Sequence, residues 1–341
     1  MKALLIDRPG YARLVAIAEP EPAADEVLLR VRTVGLCGSD LNTFRGLNPL
    51  VSYPRVPGHE VAATVERVGS AVPAARFPAG LNVTAMPYTS CGGCAACRSG
   101  RVNACRNNQT LGVQRDGAIA EWIAVPWQNV LRADGLSLRA LALVEPLSVG
   151  FHAVARARVA AGDTVAVIGC GAVGIGAVAG AARRGATVIA VDVENWKLEL
   201  ARRAGAIYAV NSRTDRLHDG LRRLTNGEGP DIVIEAVGHP ETFLSAVEAV
   251  AFAGRVVYIG YARSPVCYDT TQFVKKELDI LGSRNAGEAD FHAVIAHVRD
   301  GGLPIDDLVT RVASIDEAGD ALVRWAADPA LVTRIHITLD R

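Results

Sequence analysis

An excess of charge of either sign is missing from this sequence: its 341 residues carry 36 lysines and arginines against 36 aspartates and glutamates. The cations are scattered and form no long basic block, so the charge pattern does not suit nucleic acid. Aromatic residues are few, at 5%. An uninterrupted apolar run of membrane-spanning length is missing too. The most apolar stretch, Thr164 to Ala182, contains five glycines and runs straight into Arg183 and Arg184. It reads as a glycine-rich strand, turn and helix, not as a membrane span of about 20 residues. No long apolar signal core precedes a small-residue cleavage site near the start, and the expected location is the cytoplasm. The seven cysteines are odd in number, which excludes complete internal pairing.

What is present is a soluble globular composition, half apolar by the broad count. A chain of this length exceeds what one hydrophobic core usually supports, so two domains are expected. Up to about Leu143 the chain reads as a β-unit. Short branched runs at Ala3 to Ile6, Glu26 to Val34, Ala62 to Val68 and Asn82 to Met86 are bounded by Pro, Gly and charge. Beyond it, strand and helix patterns alternate: Thr164 to Ile168, Ala172 to Arg184, Thr187 to Val191, Trp196 to Ala204, Ile232 to Glu235, Glu241 to Ala251 and Arg255 to Ile259. That succession marks a parallel sheet covered by helices. Leu278 to Leu281 predicts a further strand, Phe291 to Arg299 and Ala318 to Ala327 predict helices, and Ile335 to Leu339 a last strand. Periodicity alone does not assign this tail to either domain.

Cys91, Cys94, Cys97 and Cys105 give the pattern C-x2-C-x2-C-x7-C, threaded with Gly92, Gly93 and Gly100. Four thiolates close a tetrahedral shell around zinc, and glycine-bearing spacers let the loop curl so that the sulfurs converge. A closed shell leaves no place for substrate, so the expected role is structural. Iron-sulfur ligation is the rival, weakened by the long final spacer and by the lack of a proline after Cys105.

A second group is less regular. Cys37 lies in Gly-Leu-Cys-Gly-Ser-Asp, and His59 and Glu60 lie in Pro-Gly-His-Glu. Cysteine, histidine and a carboxylate or water make up a catalytic zinc site with one open position, where a metal polarises a carbonyl or stabilises an alkoxide. Taken singly, Cys37 reads as a small buried hydrophobe and His59 as a loop residue.

The segment Gly169-Cys-Gly171-Ala172-Val173-Gly174 places G-x-G-x-x-G between a strand and a helix. In that context the glycines serve a tight turn, a close approach to a pyrophosphate and close helix packing, with the helix N-terminus facing the phosphates. Asp192 ends the next strand. An acid there binds the ribose hydroxyls and repels a 2′-phosphate, which favours NAD over NADP, a preference that Lys197 would relax if it turned inward.

With these motifs in order, the chain resembles the zinc-containing medium-chain dehydrogenase family, in its sorbitol (polyol) dehydrogenase-like branch. The resemblance rests on Gly35-Leu-Cys37-Gly-Ser-Asp40, Gly58-His59-Glu60, the Cys91 to Cys105 lobe, Glu145-Pro-Leu-Ser and the Gly169 fingerprint. It implies a GroES-like β-rich catalytic domain (residues 1–147 and 286–341) and an α/β Rossmann domain with a doubly wound parallel sheet (residues 148–285). It further implies two zinc ions per chain, the catalytic one on Cys37 and His59 with Glu60 or Glu145. Asp40 resembles the carboxylate that orients the zinc-binding histidine, and Ser39 the hydroxyl that relays the substrate proton. Family members commonly have histidine where this chain has Asn42, and an amide cannot exchange a proton near neutral pH. Either the proton leaves by another route or Asn42 binds a substrate hydroxyl. The family habit is a homodimer or homotetramer.

Asn42 and Arg45 beside the expected metal, with Arg284 and Asn285 after the last expected Rossmann strand, suit a hydroxylated small molecule. An arginine also binds a carboxylate in bidentate fashion, so a sugar acid of the galactonate or gulonate kind is one specific expectation. The expected function is the reversible, NAD-linked oxidation of a secondary hydroxyl to a ketone. Alternatives are a threonine dehydrogenase-like enzyme, a simple secondary alcohol dehydrogenase and, more remotely, an inactive cofactor-binding protein of the same fold.

Overall fold

The computed structural model describes residues 1–339. Two compact units emerge: Met1–Glu145 with the segment from Ile305 onward, and Pro146–Pro304. The first boundary falls near the one expected at 147/148, but the second differs from 285/286, because residues 286–304 belong with the second unit. The reason lies in the helix Glu288–Arg299, which buries Phe291, Val294, Ile295 and Val298 and bonds to a residue of that unit, Asp290 Oδ2 lying 2.8 Å from His152 Nδ1.

The first unit is organised by its longest strand, Glu26–Leu36, in which Arg30 is the one exposed position. The strand is buried because it has neighbours along its whole length. Glu60–Val68 runs antiparallel to it, while Trp122–Pro126 pairs with its first part and Ile335–Thr338 with its last. The seven-stranded sheet continues outward through Asn82–Ala85 and Val130–Arg132 on one side and Arg311–Ser314 on the other. Register fixes where the strand ends meet. Gly35 faces Glu60 and Leu36 faces Ile335, so the end of one strand, the start of a second and the start of a third come together at one end of three adjacent interior strands. Cys37, Glu60 and Arg334 sit at those three points.

The second unit carries a parallel sheet of six strands in the order Tyr208–Asn211, Thr187–Asp192, Thr164–Ile168, Ile232–Glu235, Arg255–Tyr258, Asp279–Gly282. Counted along the chain this is 3-2-1-4-5-6, the dinucleotide-binding arrangement. Val165 to Ile168 and Ile232 to Glu235 are buried at every position, as strands covered on both faces must be. The strand and helix patterns anticipated from periodicity recur with ends shifted by a few residues.

The helix Leu138–Arg156 was not anticipated, and it holds Pro146 inside it, a residue whose missing amide normally ends a helix. By length and composition it is apolar enough to cross a membrane, but 72% of it is buried within the fold, as in a core helix. Its packing explains two of the glycines. A Cβ on Gly150 would lie 2.3 Å from the backbone of Val173 and Ala177, and one on Gly176 would lie 2.4 Å from the Leu147 carbonyl. The helices Leu138–Arg156 and Ala172–Arg183 therefore touch backbone to backbone. Gly150→Ala should lower stability by about 1–3 kcal/mol through overpacking, read as a shift of the thermal or urea midpoint. An unchanged midpoint would show that the two helices separate at no cost.

Candidate active site

The place where the three strand ends meet gathers the less regular group. Cys37 caps the short helix Gly38–Phe44, and His59 precedes the strand that Glu60 opens. Asp40 ties the two loops together: its Oδ2 accepts from the Cys37 amide at 2.8 Å and its Oδ1 from the Gly58 amide at 3.0 Å. Gly58 has φ +98°, and a Cβ there would strike Ile119 and Val34 at 2.7 and 2.8 Å, so no other residue fits the turn. The carboxylate expected to orient His59 thus braces backbone first and stands 3.9 Å from His59 Nδ1, a charge contact longer than a hydrogen bond.

Cys37 Sγ, His59 and Glu60 each bring a ligand atom within 4.8 Å of the others. Glu60 has no exposure at all, and room for its carboxylate exists because residue 35 is glycine: a Cβ there would lie 2.1 Å from Glu60 Oε2. Arg334, also buried, places Nη1 2.9 Å from Glu60 Oε1 while donating to the Leu36 carbonyl at 2.9 Å. The Arg334 contact balances charge without closing a hydrogen bond, so both Glu60 oxygens, His59 Nδ1 and Ser39 Oγ remain buried without a hydrogen-bond partner among the described residues. Such orphaned atoms are rare unless something else engages them. Burial works to raise the Cys37 thiol, yet His59 and Arg334 outweigh it and bring it down to about 7, poised for thiolate. Burial pushes the Glu60 carboxyl well above its ordinary value, with Arg334 opposing. The donor set fits a divalent cation of zinc type: soft sulfur, imidazole and carboxylate, with a buried charge deficit to fill.

Glu145 is buried beside this group and outside the three-residue set, and Tyr88 donates its phenolic proton to Glu145 Oε1. Sequence reasoning overlooked both Tyr88 and Arg334. Leu36 and Arg334 are 298 positions apart and no motif joins them. Tyr88, by contrast, lies just before the cysteine run, a nearness that offered a faint signal.

The cysteine lobe is compact. The sulfurs of Cys94 and Cys97 are 3.5 Å apart, Cys105 and Cys91 3.5 Å, and Cys94 and Cys105 3.9 Å. A disulfide needs about 2.05 Å, whereas a tetrahedron with ligands at about 2.3 Å has edges of about 3.8 Å. The spacing fits four thiolates around one zinc. Backbone amides of Arg106 and Cys97 lower the Cys94 thiol to about 6, while burial, with neighbouring sulfurs, pushes Cys97 up to about 11.

In the second unit Gly169 turns the chain at φ +95°, and a Cβ on Gly174 would lie 1.8 Å from the Gly169 carbonyl. Gly171 caps the helix Ala172–Arg183, so Ala172, Val173 and Gly174 form its first turn. Asp192 Oδ2 accepts from the Cys170 amide at 2.7 Å and Oδ1 from the Glu194 amide at 3.0 Å, holding the acid at the glycine loop. Glu235 Oε1 accepts from the amides of Val237 and Gly238 and from Thr242 Oγ1, and that turn packs on Gly169, where a Cβ would meet Val237 at 2.7 Å.

Of the remaining expected residues, Lys197 stands 5.4 Å over the ring of Trp196 on its own helix, and Arg45 donates to the Ala326 carbonyl. Asn42 is half-buried on the helix of Ser39. Arg284 and Asn285 follow the strand Asp279–Gly282 in the second unit, Asn285 with φ +54°. The structure brings Ser39, Cys37, His59, Glu60 and Asp40 into one neighbourhood; Arg45 is taken up by backbone.

The Arg334 pairing is open to measurement. Arg334→Met leaves a fully buried carboxylate without its cation and should destabilise the metal-free chain by about 3–5 kcal/mol, measured by urea unfolding. An unchanged midpoint would mean that Glu60 is already uncharged before metal enters.

The chain matches the alcohol dehydrogenase GroES-like domain family over residues 23–135 and the zinc-binding dehydrogenase family over residues 172–300. It is 34% identical to the L-galactonate-5-dehydrogenase of Escherichia coli K12, covering 85% of each chain. It is also 34% identical to the sorbitol dehydrogenase of Bacillus subtilis 168, covering 95% of this chain and 93% of that protein. Among solved structures, the alcohol dehydrogenase RspB of Escherichia coli CFT073, complexed with NADH, superposes with TM-score 0.90 at 30% identity, over 99% of both chains. A zinc-binding dehydrogenase of Sinorhizobium meliloti 1021, bound to NADP, does so with TM-score 0.91 at 30% identity, again over 99% of both. The three strand ends, the cysteine lobe and the glycine loop therefore belong to an NAD(P)-dependent zinc medium-chain dehydrogenase, of the branch whose members include sorbitol and L-galactonate dehydrogenases.

Proposed function

We propose that this enzyme reversibly oxidises a secondary hydroxyl of a polyol or sugar acid to a ketone, with NAD as acceptor, at the group formed by Cys37, His59 and Glu60. The observation that carries the proposal is the convergence of a sulfur, an imidazole and a carboxylate within 4.8 Å, with polar atoms left buried and unpartnered. Bound there, zinc supplies Lewis acidity toward the substrate oxygen, and the dinucleotide supplies a hydride acceptor. A second zinc, held by Cys91, Cys94, Cys97 and Cys105, is structural.

The chain's own residues do the rest. Arg334 opposes the loss of charge that burial imposes on Glu60 and holds its carboxyl in place. Asp40 fixes the Cys37 and His59 loops relative to one another. Ser39 Oγ, buried and unpartnered, takes the hydroxyl proton and passes it outward, and Asn42 one turn further on binds a substrate hydroxyl, since its amide cannot carry a proton onward. Arg45, held by Ala326, contributes to the shape of the loop more than to carboxylate binding. In the second unit the amides around Gly171 face the pyrophosphate, and Asp192 meets the ribose hydroxyls and disfavours a 2′-phosphate.

The test is a spectrophotometric screen of the zinc-loaded enzyme with NAD and NADP against sorbitol, L-galactonate, L-threonine and a simple secondary alcohol. Turnover of a polyol or sugar acid with NAD is expected, falling by at least about 100-fold in Cys37→Ser, the scale of removing one preorganised group at the reacting oxygen. Asp192→Ser should move the kcat/KM ratio toward NADP by about tenfold or more, the equivalent of one or two charge-assisted hydrogen bonds. A preference for threonine would replace the polyol assignment. Turnover of none of the four would sink it.

A further inference from the structure

The three-residue set leaves Glu145 as a second buried carboxylate whose charge reaches the same centre, and Tyr88 is hydrogen-bonded to it. The phenol donates to Glu145 Oε1. Its position is fixed from three directions that have nothing to do with the substrate. Asn129 Nδ2 donates at 2.9 Å to the carbonyls of both Met86 and Tyr88. The two-residue strand Tyr88–Thr89 pairs antiparallel with Gln109–Thr110, Tyr88 facing Thr110. The Leu111 amide adds a bond to the Pro87 carbonyl at 3.1 Å. Those two short strands are the neck of the cysteine lobe, which leaves the fold after Thr89 and returns at Gln109.

We propose that Tyr88 is a positioning residue that holds Glu145 back from the metal and so keeps one position of the catalytic site open, its phenol being aimed by the neck of the cysteine lobe. The inference rests on the assignment of Cys37, His59 and Glu60 as the metal-binding set. An open position is what separates a catalytic site from a closed structural one. A fourth protein ligand from Glu145 would turn the first kind into the second. A hydrogen bond to one carboxylate oxygen satisfies it where it stands, and the rigid frame behind Tyr88 sets that place. The same frame gives the lobe a role beyond local stability, since loosening the neck releases the phenol and with it Glu145. An expectation that Glu60 and Glu145 are interchangeable at the metal is thereby sharpened: Glu60 belongs to the set and Glu145 is kept as its neighbour.

The test uses enzyme with cobalt in place of the catalytic zinc, whose visible absorption reports ligand number, titrated with azide as a probe of the open position. Azide should shift the wild-type spectrum. In Tyr88→Phe the starting spectrum should differ, the azide response should be lost, metal release to a chelator should slow by about tenfold or more, and kcat/KM should fall by about 10- to 100-fold, the range for groups that orient metal ligands. Adding Glu145→Gln to Tyr88→Phe should restore the azide response, because a neutral amide is a poor ligand; a purely structural role for Tyr88 would lower the melting temperature without this rescue. Asn129→Ala, which loosens the frame without altering either side chain, should move the spectrum in the same direction by less. A spectrum and azide response unchanged in both Tyr88→Phe and Asn129→Ala would overturn the inference alone. Wild-type enzyme that takes cobalt only in the cysteine lobe would overturn the inference together with the metal assignment beneath it.

Discussion

A carboxylate with no exposure, Glu60, facing a buried guanidinium, Arg334, is the constraint around which the β-rich unit is arranged. Burying two such charges is costly unless they are paired, and removing one partner from a buried pair costs more than the pair contributes. The fold meets that requirement by topology. The strand Ile335–Thr338, from the far end of the chain, is laid against Leu36 so that Arg334 arrives opposite Glu60. Gly35 supplies the space. Asp40 then fastens the Cys37 and Gly58 backbones to one another, and the sulfur and imidazole converge as a consequence. The return of the C-terminal segment to the first unit is therefore a condition of the site as well as a feature of the fold.

The second unit solves a different electrostatic problem with backbone instead of charged pairs. The glycine loop offers amides at a helix N-terminus, and two carboxylates, Asp192 and Glu235, hold the turns around it by accepting from main-chain N–H groups. Each acid stands at the end of a parallel strand, where the sheet presents its ligands. The cysteine lobe obeys a third logic: four sulfurs on a loop with little hydrophobic support, where a bound ion would supply the order that packing does not.

Sequence range separates the legible features from the hidden ones. Cys91 to Cys105 and Gly169 to Gly174 are local patterns, in which spacing alone states the geometry, and the structure places each of them compactly. Cys37, His59 and Glu60 are separated by a strand and a loop; composition suggested their chemistry, but only strand register makes them meet. Arg334 was beyond reach, because its partner is set by the pairing of strands from opposite ends of the chain. Tyr88 was hidden for the same reason, since its partner Glu145 lies 57 positions further along the chain. The helix Leu138–Arg156 was obscured by Pro146, whose missing amide normally ends a helix, and the placement of residues 286–304 was decided by the buried face of Glu288–Arg299, which periodicity cannot direct to one domain or the other.

The central claim is that two chemically distinct metal sites occupy one chain, a closed sulfur cage and an open site of mixed donors. Diffraction from zinc-loaded crystals on both sides of the zinc absorption edge tests it most directly. Two anomalous peaks per chain are predicted, one enclosed by Cys91, Cys94, Cys97 and Cys105 and one bounded by Cys37, His59 and Glu60 with Arg334 behind. A single peak in the cysteine lobe, with Glu60 held by Arg334 and no density between Cys37 and His59, would contradict the account.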